Sequence, residues 1–372
     1  YHQWKNPVEL VDKCRKIPDT CGKSRKAGEC MKMGGQGKKS RRYLWLWPLA
    51  VSVALTGCGR ETKQEQTSEK TEQELLVVGF SEVGAESDWR VANTESMRNT
   101  FTEERGYELL FDDAKQKQDN QILAIRNYIL QEVDYIVFAP VVESGWDEVL
   151  QESQETGIPV IVVDRMVDVG DDSLFAAWVG SDFHREGQMA VNWLAHYLEE
   201  QGRDGEDISI LHVQGTEGSS AQIGRTAGLL EGVKEHSNWH ILRQVEGEFT
   251  KAKSYEVVSA VLKEREIPDV VYCENDESAL GAVQALDEYG ITHGPDGDVI
   301  VISFDATRAG LTACMNREIN LDMECNPLHG PRVEALIRQI EAGETPNQYC
   351  YVEETWFTPE ELTEERIAKR EY

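Results

Sequence analysis

Polar side chains with planar hydrogen-bonding groups recur where apolar runs of this chain end. LLVVGF is followed by Ser81, Glu86, Trp89 and Arg90, and PVIVVD by the pair Asp164-Arg165. CEND supplies Asn275, VISFD ends in Asp305, and ECNP gives Glu324 and Asn326. One such residue alone is most simply a helix cap. Recurrence in both halves of the chain asks for more than caps. Carboxylates accept and guanidinium groups donate, so together they match the paired donor and acceptor character of sugar hydroxyls. Trp89 and Phe249 offer aromatic faces for the C–H side of a sugar ring. Asp164 beside Arg165 also balances charge locally, so neither need be buried alone.

Other chemistries are less well served. VQGTEGSSAQIGR follows an apolar run as a phosphate loop would, but it lacks a GK[ST] ending and any GxGxxG. Its Arg225 is better read as a further arm into the same cleft. No GxSxG and no HExxH occur. Glycoside hydrolysis stays open, because Asp164, Asp305 and Glu324 could supply paired carboxylates. Arg or Asn neighbours would favour their ionised forms over a general acid. Cys14, Cys21 and Cys30 form no CxxC pair and do not read as a zinc site. The expectation is a binding protein with no catalytic residue, metal or cofactor. Cys273, Cys314, Cys325 and Cys350 read as isolated buried thiols, with pairing in an oxidising compartment as the alternative.

Charge narrows the partners. The net charge is −29, yet residues 1–57 carry 12 Lys/Arg against 4 Asp/Glu, a balance of +8 that leaves −37 on the remainder. So acidic a body repels nucleic acid. The basic segment has its own logic. Lys38, Lys39, Arg41 and Arg42 precede an apolar stretch, 43–57, that is short for a spanning helix. It ends in Leu55-Thr56-Gly57-Cys58, which resembles a bacterial lipobox with Cys58 as the lipidated residue. Residues 33–58 are therefore a lipoprotein signal peptide, 1–32 upstream translated sequence, and the polar stretch 59–74 a flexible tether.

From Leu75 onward, continuous apolar runs alternate with amphipathic segments, the pattern of parallel βαβ units. The first series includes LLVVGF, ELLF, DYIVFAP, PVIVVD and AAWVG, with helices over 93–105, 120–131 and 144–155. A second series runs through ISILHVQG, HILRQVEG, DVVYCEN, DVIVISFD and INLDMECNP, with helices over 221–235, 251–264, 277–289 and 310–316. The fold class is α/β, two similar parallel-sheet βαβ lobes joined by short crossings that form a hinge. The first lobe is assigned 75–181 plus 306–325, the second 182–305 plus 326–352, and 353–372 a C-terminal extension. In open α/β sheets ligands bind beyond the carboxyl ends of the strands, where the polar residues above stand.

Three segments carry a resemblance: GFSEVGAESDWR, the stretch from DDAKQKQDNQILAIRNYIL to APVVESGWDEVL, and GIPVIVVDR. They are similar to the galactofuranose-binding branch of the ribose-binding-like periplasmic binding proteins, of type I fold. The likeness runs from about Leu75 to Tyr351. It implies that Asp164 and Arg165 clamp sugar hydroxyls, that Arg225 is the second-lobe arginine, and that Phe249 stacks on the ring. Asn275 matches the amide of the family's ND, and Asp305 the carboxylate near a hinge of three crossings; Trp89 and Arg90 form the first-lobe wall, with Ser81 and Glu86 beside them. The crossing written ECNPLHGP is one residue shorter than the family form, which leaves Glu324 and Asn326 outside the contacts carried over. The implied function is capture of a monosaccharide for an ABC transporter permease and its ATPase. The protein would be a monomer, held at the outer face of the membrane by its lipid anchor. Presentation of sugar to a membrane sensor is the near alternative. A LacI-type regulator would need a helix-turn-helix where the lipobox stands, and a glycosidase would release product from aryl glycosides. Replacing Arg90 by Ala is expected to weaken binding without unfolding the lobe.

Overall fold

The computed structural model describes residues 74–372. The expected signal peptide, Cys58, the expected tether up to residue 73 and the three N-terminal cysteines lie outside them. Among the described residues no helix is long and apolar enough to cross a membrane.

The chain opens with β1 (Leu76–Glu82), α1 (Asp88–Thr100), β2 (Tyr107–Asp113), α2 (Gln118–Leu130), β3 (Tyr135–Phe138), α3 (Asp147–Thr156), β4 (Val160–Val163) and β5 (Ala177–Gly180). After α4 (Phe183–Glu200) come β6 (Ile208–Gln214), α5 (Ser220–Glu235), β7 (Trp239–Glu246), α6 (Lys251–Lys263) and β8 (Val270–Cys273). Next are α7 (Asp276–Glu288), β9 (Ile300–Asp305), α8 (Arg308–Met315) and β10 (Leu321–Glu324). The chain finishes through α9 (Gly330–Glu341), β11 (Tyr349–Tyr351), β12 (Trp356–Phe357) and α10 (Glu364–Ala368).

Two six-stranded sheets result, ordered β2-β1-β3-β4-β5-β11 and β7-β6-β8-β9-β10-β12. Every pairing is parallel except β10 with β12. Runs such as YIVF and VIVV are buried at every position, because helices cover both faces of a parallel sheet. Each sheet accordingly has two apolar clusters, one per face.

The pairing reverses part of the lobe assignment. β10 pairs with β9 in the second sheet, and β11 pairs with β5 in the first. Residues 306–324 therefore complete the second lobe, and α9 with β11 completes the first, where α9 packs against α1. Periodicity shows that a strand exists but not which open edge accepts it. Nor is 353–372 an appendage: β12 joins the second sheet, and Arg308 N donates to the Tyr372 carbonyl at 3.0 Å.

The chain passes between lobes at 181–182, 325–329 and 352–355, so the hinge does have three crossings. They are tied side by side: Val352 N donates to Gly180 O at 2.9 Å and Glu324 N to Thr355 O at 2.8 Å. The lobes also touch at the rim of the cleft. Glu143 N donates to Gly218 O at 2.9 Å, and Met166 N to Ser220 Oγ at 2.7 Å.

Candidate functional site

A cleft between the lobes encloses about 290 Å³ of space between atoms. It is lined by Glu86, Ser87, Trp89, Arg90, Asp164 and Arg165 from the first lobe side. Phe183, Ala221, Arg225, Phe249, Asn275, Asp305 and Cys325 line the rest. Nine of the ten residues expected from sequence thus meet in one place.

Ser81 does not. The strand β1 continues to Glu82, so Ser81 lies inside it, opposite Asp112 on one side and Phe138 on the other. The apolar run ends at Phe80, but backbone pairing does not stop with hydrophobicity. Glu324 and Asn326 also lie outside the lining; Glu324 pairs with Arg370 at 2.9 Å. Cys325 between them is the residue that reaches the cleft.

The first-lobe wall is an ion network. Ser87 caps α1, its Oγ accepting from Arg90 N at 3.2 Å, which starts the helix so that Trp89 and Arg90 turn inward. Arg90 donates through Nη2 to Asp164 at 2.7 Å and contacts Glu86 at 3.4 Å and, through Nη1, Glu82 at 3.2 Å. Arg165 donates to Glu86 Oε1 at 2.6 Å and to Val141 O at 3.1 Å. Burial alone would pull the Arg90 guanidinium down, yet Asp164, Glu82 and Glu86 push it above its ordinary value. Burial works against the Asp164 carboxylate as well, but Arg90 and Arg165 outweigh it and hold it below the usual range. Burial raises Glu82 to about 7. Sequence reasoning missed Glu82, a carboxylate hidden at the last position of a strand. Glu86 Oε2 and Arg90 Nε, both buried, have no protein partner. They are an unmatched acceptor and an unmatched donor on two residues that line the cleft.

The aromatic pieces bracket this network. The Trp89 indole N–H donates to Cys325 O at 2.6 Å, which fixes the ring, and the Arg90 guanidinium lies 4.6 Å from its centre. Across the cleft, Arg165 stands 5.2 Å from the centre of the Phe249 ring. Trp89, Phe183, Ala221, Phe249 and Cys325 form one buried apolar cluster. Phe249 packs so closely on Gly215 that a Cβ there would fall 1.9 Å from the ring. Sequence alone offered no signal for Phe183 or Ala221, which enter the lining by lobe-to-lobe packing.

The second-lobe groups are held by backbone and helix geometry. Arg225 projects from α5, which crosses α4 at very short range. A Cβ on Gly228 would meet the backbone of Gly187 and Gln188 at 2.7–2.8 Å. That approach sets Glu186 of α4 against Arg225, with Nε to Oε2 at 2.7 Å. Arg225 also donates to Glu274 O and lies 3.8 Å from Asp305. Asn275 does double duty: its Oδ1 caps α7 by accepting from Ser278 N at 2.9 Å, and its Nδ2 donates to Phe249 O at 3.2 Å. The cap reading and the cleft reading are both met at this residue.

Three of the lining residues have left-handed backbones: Asp164 at φ 61°, Phe249 at 57° and Asp305 at 111°. Such conformations cost roughly 1–3 kcal/mol each and persist where surrounding structure enforces them. Behind Asp305, Asp276 accepts from Thr307 N at 2.8 Å and Ser303 Oγ at 2.6 Å, and Asp322 from Ala306 N at 3.0 Å. Burial pushes the Asp305 carboxyl well above the ordinary range despite Arg225. The direction is opposite to the one expected from an Arg neighbour, because burial acts against a guanidinium 3.8 Å away. Asp164, by contrast, is engaged by Arg90 at 2.7 Å.

The four cysteines of the body are buried and form no disulfide with one another. Among the described residues one group could ligate a metal, Glu186, Cys325 and Glu354, under the cleft floor.

Residues 78–322 match the family model described as Periplasmic binding protein domain. The chain belongs to the periplasmic binding protein family. Within it, this protein is 36% identical over 299 residues to the galactofuranose-binding protein YtfQ of Escherichia coli strain K12, covering 79% of this chain and 92% of that one. A solved galactofuranose binding protein superposes with a TM-score of 0.74 at 36% identity, over 79% of this chain and 98% of the other. A Mycobacterium smegmatis protein in complex with beta-D-fucofuranose gives 0.73 at 38% identity, over 77% and 92%. Both similarities establish the type I fold, and the family places this periplasmic binding protein outside the cytoplasm.

Proposed function

We propose that this periplasmic binding protein is the solute receptor of a sugar ABC importer. It would capture a monosaccharide in furanose form, galactofuranose foremost, between its two lobes. The observation that carries this reading is the ion network of Arg90, Asp164, Glu86 and Arg165 set between the Trp89 and Phe249 rings. Paired donors and acceptors meet ring hydroxyls, and the aromatic faces cover C–H surface. Both lobes contribute, so a bound sugar favours the closed arrangement over an open one. Several charge-assisted contacts plus stacking are enough for a micromolar constant, about −8 kcal/mol. The furanose preference is drawn from the relatives named for galactofuranose binding and the one in complex with fucofuranose.

The remaining parts of the reading are also ours. The protein acts as a monomer, performs no covalent chemistry, hands its sugar to a permease and its ATPase, and is lipid-anchored through Cys58. Calorimetric titration with D-galactose, D-fucose and L-arabinose tests the core claim, with methyl galactopyranoside as the locked six-membered control. Heat from the free sugars and none from the control is expected; silence from every monosaccharide refutes the reading. Release of product from an aryl galactofuranoside would refute the non-enzymatic part. Loss of a diacylglycerol-sized mass on Cys58→Ser tests the anchor.

A further inference from the structure

All three hinge crossings converge on one carboxyl group. Ser181, in the first crossing, donates its hydroxyl to Glu354 Oε1 at 2.7 Å. The backbone N–H of Asn326, in the second, donates to the same oxygen at 2.7 Å. Glu354 itself belongs to the third. Cys325 Sγ lies 3.3 Å from Ser181 Oγ. From the second lobe Glu186 reaches into this knot: its Oε2 holds Arg225, while its Oε1 is buried with no fixed donor. A carboxylate oxygen of Glu186 lies within 4.8 Å of one of Glu354.

Two carboxyl groups this close, one buried and one half-buried, disfavour each other's ionisation beside a single guanidinium. Counting charges, Arg225 balances one carboxylate, and one proton neutralises the other. That proton also supplies the donor that Glu186 Oε1 lacks. We propose that Glu354 is a positioning residue for the cleft: it shares one proton with Glu186, and the shared proton holds Glu186 beneath Arg225 while tying the three crossings together. The proposal rests on the sugar-binding reading above, since Arg225 lines the cleft.

The electrostatics agree. Burial, with Glu186 adding to it, raises Glu354 well above the ordinary carboxylic value, and burial raises Glu186 as well. The other groups facing the pair are Arg225 from α5, Asp305 at the end of β9, Asp164 beyond β4, Cys325 and Tyr372. Burial keeps the Cys325 thiol neutral, its value raised well above normal. Possible ligand atoms of Glu186, Cys325 and Glu354 do lie within 4.8 Å of one another. A divalent cation is nevertheless disfavoured, because Arg225 already balances Glu186 and Glu354 Oε1 already holds two donors.

The sign follows from the raised values. A carboxyl whose folded value is raised contributes stability that is fully present below its ordinary value near 4.5. That contribution is lost as pH rises through the folded value. Deprotonation leaves two carboxylates repelling across the hinge and frees Glu186 to move from Arg225.

Glu354→Gln and Glu354→Ala separate the proton from the packing. The glutamine amide donates to Glu186 and its oxygen accepts from Ser181 and Asn326, without titrating. The full-length wild-type protein and both variants are titrated with D-galactose from about pH 6 to about pH 9, and the Tm of each sugar-free protein is followed over the same range. Wild-type affinity and Tm should both fall as pH rises. Glu354→Ala should bind about tenfold more weakly. Glu354→Gln should restore affinity to within about threefold and lose the alkaline decline. A glutamine variant that keeps the wild-type decline overturns the proposal. If no protein binds D-galactose, the sugar reading fails, and the Tm profiles still decide the pair. Added Zn²⁺ that raises the Tm of wild type but not of Glu354→Gln would make the cluster a metal site and overturn the shared proton.

Discussion

Arg90 is the most exposed point of this reasoning, because its side chain touches three buried carboxylates and a ring. Its side chain is 3% accessible and lies 2.7 Å from Asp164, 3.2 Å from Glu82 and 3.4 Å from Glu86. Replacing it with Ala leaves those charges without their cation, a change that costs about 3–5 kcal/mol for a buried pair broken from one side. The sequence suggested that this substitution would leave the lobe folded; the ion network adds that the folded lobe should lose stability. The cost depends on pH. In wild type the depressed Asp164 contributes stability above its ordinary value, 3.8, and loses it as pH falls. Without Arg90 that contribution disappears, and Glu82, raised to about 7 by burial even with Arg90 lowering it, takes up a proton more readily. The variant should therefore be most destabilised near about pH 8, with the deficit shrinking toward about pH 5. Urea unfolding followed by tryptophan fluorescence measures this directly. Arg126→Ala is the control: its pairs with Glu148 and Glu152 lie at the surface, and its midpoint should not move. An Arg90→Ala deficit below about 1 kcal/mol, or one independent of pH, would refute the argument.

Two further outcomes follow from packing and burial. Gly215→Ala should displace the Phe249 ring, since the added Cβ would sit 1.9 Å from it. D-galactose affinity measured by calorimetry should fall about tenfold with native circular dichroism, and unchanged affinity would remove Phe249 from the wall. Burial lowers His329 from 6.5 to about 3, so its contribution is full above the ordinary value and lost as pH falls toward the folded one. Wild-type Tm should decline from about pH 7 to about pH 4, and His329→Gln should flatten that slope; an identical slope would exclude His329 as its source.

How far the site was legible follows from what each residue answers to. Trp89, Arg90, Asp164, Arg165, Asn275 and Asp305 all stand just beyond an apolar run, and runs of 4–8 apolar residues mark buried parallel strands reliably. Ser81 failed because a strand can outlast its apolar run by two residues. Asp305 lines the cleft as expected, but the upward push of burial on its carboxyl was not legible, because it depends on the assembled surroundings, including Asp276 and Glu186. Cys325, Phe183, Glu186 and Glu354 carried no local signal, since their neighbours lie far away along the chain.

Sequence by itself determined the α/β alternation, the order of the strands along the chain and the polar residues at their carboxyl ends. These are short-range properties: periodicity, capping and the chemistry of adjacent side chains. Only the tertiary structure decided which sheet takes β10 and β11, because an open sheet edge offers hydrogen bonds to any strand that arrives. It also decided that LLVVGF leads not to Ser81 but to an arginine shared by Glu82, Glu86 and Asp164. Protonation was decided there too, since burial and neighbouring charge are properties of assembled lobes and not of any single segment.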